Sequence, residues 1–163
     1  DYVNVMTYDM GKPPYHNSTL YDSPLTDGLS CDSAIAAHKQ AGVGYKRMNL
    51  GIPFYGHGIS PYETDVKYNQ MDKIFNAEPT SKYYGKNIRM WDDKGKVPYM
   101  VDESGKMLLG YDDEESVAYK GKYAKDKGLL GVMFWEYRHD DKNHTLLKSV
   151  VTSIYGKPDI HTN

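Results

Sequence analysis

The sequence predicts an α/β fold in which parallel strands are covered by helices. Three observations carry that prediction. Three short segments are apolar on both parities, as strands covered on both faces require. Helix-like stretches with capping signals lie between them, leaving room for crossover connections. In each segment one parity ends in an aromatic residue at the C-terminal tip: Tyr8, Tyr55 or Trp135.

The first strand is read over Tyr2–Tyr8, with Val3, Val5 and Thr7 on one face and Asn4, Met6 and Tyr8 on the other. The second, Met48–Tyr55, puts Leu50, Ile52 and Phe54 on one face and Gly51, Pro53 and Tyr55 on the other. The third, Gly131–Tyr137, puts Val132 and Phe134 opposite Gly131, Met133 and Trp135. Side chains of one parity at the C-terminal edge of a parallel sheet occupy the place where α/β folds build their sites.

The connections are consistent with this. "SCDSAIAAHKQAG" reads as a helix capped by Ser30 or Asp32 and stopped by Gly42. "DEESVAYKGKYAKDKG" begins acidic and ends in lysines, as a helix dipole prefers, with Val117 and Tyr123–Ala124 as its apolar stripe. "HTLLKSVVTSIYG" reads as a last helix capped near Asn143. Between the second strand and the crossover helix, residues 58–111 change style. A short helix candidate, "YNQMDKIFNAEP", precedes an alternating stretch with turns at Asp93-Lys94-Gly95 and Glu103-Ser104-Gly105, the pattern of a small antiparallel meander. The organisation is therefore 1–57, 58–111 and 112–163.

Composition narrows the function classes. The chain has 163 residues, 39% hydrophobic and 26% charged, which suits a globular domain. A net charge of −2 with no Lys/Arg stripe gives no reason to expect nucleic acid, and the apolar runs are too short for a bilayer-spanning helix. Cys31 is the only cysteine, so no disulfide framework or Cys-based metal site is expected, and neither metal nor cofactor is predicted. His139 and Asp140 in "YRHDD" lack a third ligand at sensible spacing. There are 16 Tyr against three Phe and two Trp, and Tyr combines an apolar face with a polar tip, which suits sugars.

Specific motifs then appear. "MTYD" at Met6–Asp9 resembles the sixth barrel strand of family 18 glycoside hydrolases, the chitinase family. "LGIPFYG" at Leu50–Gly56 resembles the seventh strand, and "GVMFW" at Gly131–Trp135 the eighth. Residues 58–111 match the place and style of that family's α+β insertion domain. The resemblance implies the last three β/α units of a (β/α)₈ TIM barrel, with strands one to five expected before Asp1. Those strands would carry the DxxDxDxE motif whose last Glu is the general acid. "WDDKG" and "YDDEES" are acidic but lack its spacing.

The resemblance also implies chemistry and roles. The family cleaves β-1,4 linkages between N-acetylglucosamine units with the sugar's own acetamido oxygen as nucleophile, an exception to the two-carboxylate scheme. Tyr8 would bond the acetamido carbonyl and Asp9 would border the same subsite. Trp135 would be the floor beneath the sugar ring. Tyr55 is read near the site, with packing as an equal alternative. Met6 is read mainly as core, with a contact to the acetyl methyl as the lesser reading. Trp91 and Tyr99 are read either as a groove wall or as meander core. His57 departs from the family, where many relatives carry Arg, so its sugar contact is an open expectation. Glu136 points outward by parity and is not read as catalytic.

The long loop from Met10 to Ser30 is expected at the rim of a sugar groove. Asn17-Ser18-Thr19 and Asn143-His144-Thr145 match the glycosylation sequon. The expected ligand is chitin or a chito-oligosaccharide, and the family implies a secreted or cell-envelope location. The 163 residues alone are expected to be inactive and to need either the N-terminal barrel half or self-association. Two alternatives remain: a chitin-binding lectin that has lost its acid, and a self-standing interaction domain that oligomerises.

Overall fold

The structure is a computed structural model and describes residues 1–156. Three strands form a parallel sheet in the order β1-β2-β8: β1 (Val3–Val5), β2 (Met48–Pro53) and β8 (Gly131–Trp135). Their register pairs Val5 with Leu50, Leu50 with Val132, and Pro53 with Trp135. Helices α1 (Cys31–Gln40), α3 (Glu114–Lys127) and α4 (Thr145–Tyr155) pack on one face. Leu50, Ile52 and Phe54 are wholly buried there. Burial of each such side chain is worth about 1.5–3 kcal/mol. The opposite parity is open: Tyr2 is 64% exposed, Met6 67% and Trp135 54%.

All three strands are shorter than the alternation suggests, for local reasons. β1 stops at Val5 because the Thr7 N–H turns back to the Val5 carbonyl (2.9 Å) and its hydroxyl donates to the Gly51 carbonyl. β8 stops at Trp135, after which a 3₁₀ turn over Tyr137–His139 closes through His139 N–H to Glu136 O (2.9 Å). Tyr55 does not end β2; it begins β3 (Tyr55–Gly58), which pairs antiparallel with β4 (Asp65–Lys67). The second sheet therefore starts at Tyr55 rather than at residue 58.

That sheet is antiparallel, in the order β4-β3-β7-β6-β5, with β5 (Ile88–Asp92), β6 (Val97–Val101) and β7 (Met107–Gly110) making the expected meander. The short helix α2 (Met71–Phe75) contributes Met71 and Ile74 to a core with Val66, Met100, Leu109 and Tyr111. The other face carries an in-register row: Asp65 on β4, His57 on β3, Gly110 on β7, Tyr99 on β6 and Met90 on β5. This row runs from the C-terminal tips of the parallel strands across the second sheet.

The helix caps settle what the sequence left open. Ser30, not Asp32, caps α1 in a reciprocal box with Ser33. Asp113 caps α3, which ends at Gly128 in a left-handed conformation (φ 67°). At α4 the N-cap residue is His144, beside Asn143, and its side chain makes no capping bond. Asp140 accepts from the Leu146 and Leu147 N–H groups (3.1 and 3.0 Å), and Asp141 accepts from Thr145 N–H (3.0 Å). The paired acids of "YRHDD" thus serve the helix N-terminus, where negative charge is favoured. Among the described residues no helix is long and apolar enough to cross a membrane.

Candidate active site

A cavity of about 370 Å³ opens where the parallel tips meet the second sheet, lined by Asp9, Tyr55, His57, Asp65, Lys67, Trp135 and His139. Asp9 follows β1 with a left-handed backbone (φ 59°), which a non-glycine residue seldom adopts and which Asp tolerates better than most. Asn17 from the long loop holds it there. Its side-chain oxygen accepts the Asp9 N–H (2.8 Å) while its amide donates to the Tyr55 carbonyl (3.2 Å).

The Asp9 carboxylate is fixed through one oxygen. Oδ1 accepts the Tyr55 hydroxyl (2.5 Å) and lies 2.9 Å from His57 Nε2. His57 Nδ1 lies 3.0 Å from Asp65 Oδ1 and 3.2 Å from the Thr64 carbonyl. Tyr8 stands beside the cavity, edge-on to Tyr55 with ring centroids 6.2 Å apart. Its hydroxyl is 3.9 Å from Met133 Sδ. Burial, and then the neighbouring Asp9 charge, raise the Tyr8 phenol above its ordinary pKa; burial and the hydrogen bond to Asp9 raise Tyr55 further. Both phenols are therefore neutral donors at physiological pH. His139 meets the Tyr55 ring edge-on at 5.9 Å, and burial lowers its pKa, so it tends to stay neutral.

Of the residues the sequence singled out, Asp9, Tyr55, His57 and Trp135 line one cavity and Tyr8 adjoins it. Met6 is neither core nor cavity wall: it stands on the open face of the parallel sheet, 67% exposed. Tyr99 shares the groove face with His57 but packs edge-on against His16 (5.4 Å), two strands away. Trp91 is not a groove wall. It pairs with Pro98 on the opposite face from the Tyr99 row and packs against Tyr119 of α3 (5.9 Å), with Arg89 over its ring (5.3 Å). The Asn17 sequon is buried at 1% exposure with its amide engaged, so it is closed to glycosylation in the folded chain, whereas Asn143 is exposed.

Asp65, Lys67 and Asn17 were missed as site residues. β4 is only three residues long, too short for its Asp-Val-Lys alternation to stand out, and Asn17 carries no signal beyond its sequon. Among the described residues no group of three or more His, Cys, Asp or Glu side chains converges to hold a metal ion.

The model for glycosyl hydrolases family 18 matches residues 1–140. The chain belongs to this family. Chitinase A1 of Niallia circulans is 36% identical over 173 residues, covering 90% of this chain and 25% of that protein. Chitinase B of Serratia marcescens is 26% identical over 218 residues, covering 92% of this chain and 42% of its own length. Among solved structures, a family 18 N-acetylglucosaminidase from Paenibacillus barengoltzii superposes with a TM-score of 0.73 at 29% identity, over 94% of this chain and 48% of that one. The chain thus spans between a quarter and about two fifths of the curated relatives it matches. The (β/α) barrel class and the chitinase-like character expected from "MTYD", "LGIPFYG" and "GVMFW" agree with this membership.

Proposed function

We propose that this chain is the C-terminal part of a chitinase-like hydrolase that cleaves β-1,4-linked N-acetylglucosamine. In this reading β1, β2 and β8 are barrel strands six, seven and eight, and the five-stranded sheet is the insertion domain. The observation that carries the proposal is the gathering of Asp9, Tyr55, His57 and Trp135 in one cavity, with Tyr8 beside it, at the C-terminal tips of parallel strands in a family 18 chain.

The chemistry follows from what each group can do. The indole of Trp135 offers an apolar face to the C–H side of a sugar ring. The acetamido oxygen attacks the anomeric carbon as the glycosidic C–O bond breaks. The leaving oxygen takes a proton from a general acid expected outside these 163 residues. Tyr8, a neutral phenol, bonds the acetamido group and holds it in line for attack, and Asp9 supports the positive charge of the oxazolinium-like intermediate. Water then opens that intermediate with retention, its proton passing back to the same acid, left as a carboxylate by the first step. A secreted or cell-envelope location fits a polymeric substrate, and a Paenibacillus chitinase 28% identical to this chain is described as cell-surface-expressed.

The test is hydrolysis of N-acetylglucosamine oligomers by the intact protein that carries this chain. Turnover is expected there and not with the isolated 163 residues. Tyr8→Phe should lower kcat by about 10²-fold, the size of letting a reacting group slip out of line. Binding without turnover by the intact protein would instead favour the lectin reading. Turnover by the isolated chain that Glu136→Gln abolishes would overturn the residue assignment.

A further inference from the structure

We infer that Asp65 and His57 form a positioning relay for Asp9, in which a doubly protonated imidazole ties the loop after β1 to strand β4 and tightens sugar binding. This rests on the function proposed above.

The geometry is unusual for a histidine. Nε2 faces Asp9 Oδ1 at 2.9 Å, and Nδ1 faces Asp65 Oδ1 at 3.0 Å and the Thr64 carbonyl at 3.2 Å. Every one of these partners is an acceptor. A neutral imidazole has one N–H and one lone pair, so only the imidazolium donates in both directions. The ring is largely covered, with 17% of its side chain exposed, and its place in β3 is fixed by pairing with Asp65 on one side and Gly110 on the other.

The loss of the proton has a direction. Nδ1 faces two acceptors, one of them a backbone carbonyl held in the turn by the Gly58 N–H to Thr64 O bond (3.0 Å). The remaining proton of a neutral ring therefore belongs on Nδ1. Nε2 then presents a lone pair to Asp9 Oδ1, and that contact turns repulsive. Asp9 keeps only the Tyr55 hydroxyl and is free to rotate. Among the described residues only Oδ1 of Asp9 is hydrogen-bonded, so Oδ2 is the oxygen available to a ligand, and its aim depends on Oδ1 being held at two points. Titratable groups of the neighbouring elements share the cavity. Lys67 on β4 and His139 on the 3₁₀ turn line the same cavity, Glu136 lies 3.5 Å from His139 Nε2, and Tyr55 meets the His57 ring edge-on at 5.6 Å.

The relay predicts that the Kd for the N-acetylglucosamine tetramer, measured on the intact protein, rises roughly tenfold from pH 5 to 8, about the worth of one charge-assisted hydrogen bond. His57→Arg keeps a permanent cation and should flatten that rise. Asp65→Asn should raise KM severalfold at pH 5 and lower kcat with it, because Asp9 also serves the intermediate, and Asp65→Glu should restore part of both losses. A pH slope that survives His57→Arg, or a KM indifferent to Asp65→Asn, overturns the relay. Should the wild-type protein neither bind nor cleave the tetramer at any pH, the functional reading fails on its own. The relay is then decided by the ¹⁵N shifts of the His57 ring. Two N–H signals at low pH and a single Nδ1–H at high pH, shifted by Asp65→Asn, uphold it. An Nε2–H form at high pH, or no response to Asp65→Asn, refutes it.

Discussion

Lys120 and Asp112 meet in an ion pair that solvent does not reach, with the ammonium 2.7 and 2.8 Å from the two carboxylate oxygens. The same ammonium donates to the Ser18 carbonyl (2.8 Å) and hydroxyl (2.7 Å), and that hydroxyl donates on to the Thr7 carbonyl (2.6 Å). Ser116 supplies a further donor to Asp112 (2.7 Å). The network joins α3 to β1 through the long loop. It also fixes Ser18, whose neighbour Asn17 ties Asp9 to Tyr55. A buried pair that does not line the cavity thus holds the backbone that shapes it.

Removing one partner should therefore be costly. Lys120→Met leaves a buried carboxylate and two Ser18 acceptors unpaired, and unfolding in urea should show a loss on the order of 3–5 kcal/mol. Pairing it with Asp112→Leu should recover more than half, because desolvated charge and not lost packing is the main penalty. A single-variant loss under about 1 kcal/mol, the scale of an exposed pair, would contradict this account.

His16 makes stability depend on pH. It is 3% exposed, its Nε2 lies 3.2 Å from Asp92 Oδ2, and among the described residues its Nδ1 has no partner. Burial pushes its pKa down to about 4; the Asp92 carboxylate opposes that only in part, and Lys120 adds to the fall. The unfolded chain takes up this proton near pH 6.5. Between about pH 6.5 and 4 the unfolded state binds more protons, so stability falls as pH falls through that window, by about 3 kcal/mol over its full width. Asp92 is itself held below its usual range, so its own contribution is lost only at lower pH. His16→Gln keeps a donor for Asp92 and should remove the slope between pH 6.5 and 4 in urea titrations; a slope left unchanged would assign it elsewhere.

The same residues show what the sequence could and could not reveal. Tyr8, Tyr55 and Trp135 were legible because a period of two fixes which side of a strand a residue takes, and a parallel sheet brings its C-terminal tips together. Helix α3 was legible because Asp113 and the glycine after Lys127 are local signals. The misplacement of Trp91 has a physical source. Both parities of "NIRMWD" are mixed, so alternation cannot say which face meets the groove, and α3, 28 residues further along the chain at Tyr119, decides it. The acceptor for the first turn of α4 was hidden for a similar reason: Asp140 reaches forward six residues to Leu146, beyond any local capping pattern. Asp65 became a site residue only when β4 folded against His57.

Gly56 is a site where no side chain fits. A Cβ there would meet the Gly110 carbonyl oxygen and lie 2.6 Å from Tyr111 Cβ. Both are fixed, one by backbone and the other by a core ring that is 2% exposed. Gly56→Ala should therefore push β3 off β7 and cost about 1–3 kcal/mol, as overpacking does. Because Tyr55 and His57 flank it, ligand affinity should fall along with the melting temperature. A variant with wild-type melting would show that β3 can yield without strain.

The open parity of the parallel sheet gives the last expectation. Tyr2 and Met6 stand on one face of the first strand segment at 64% and 67% exposure, with Trp135 at 54% on the same side of the sheet two strands away. Aromatic and Met side chains gathered on one face make an apolar patch of the kind that seeks a partner. In a barrel of this family that side would face the interior. Expressed alone, the 163 residues should self-associate or unfold over a broad, low-temperature transition. Tyr2→Lys with Met6→Lys should reduce the association without touching the helix-covered core. Light scattering that gives the mass of one chain, together with a sharp unfolding transition, would mean the open face needs no cover.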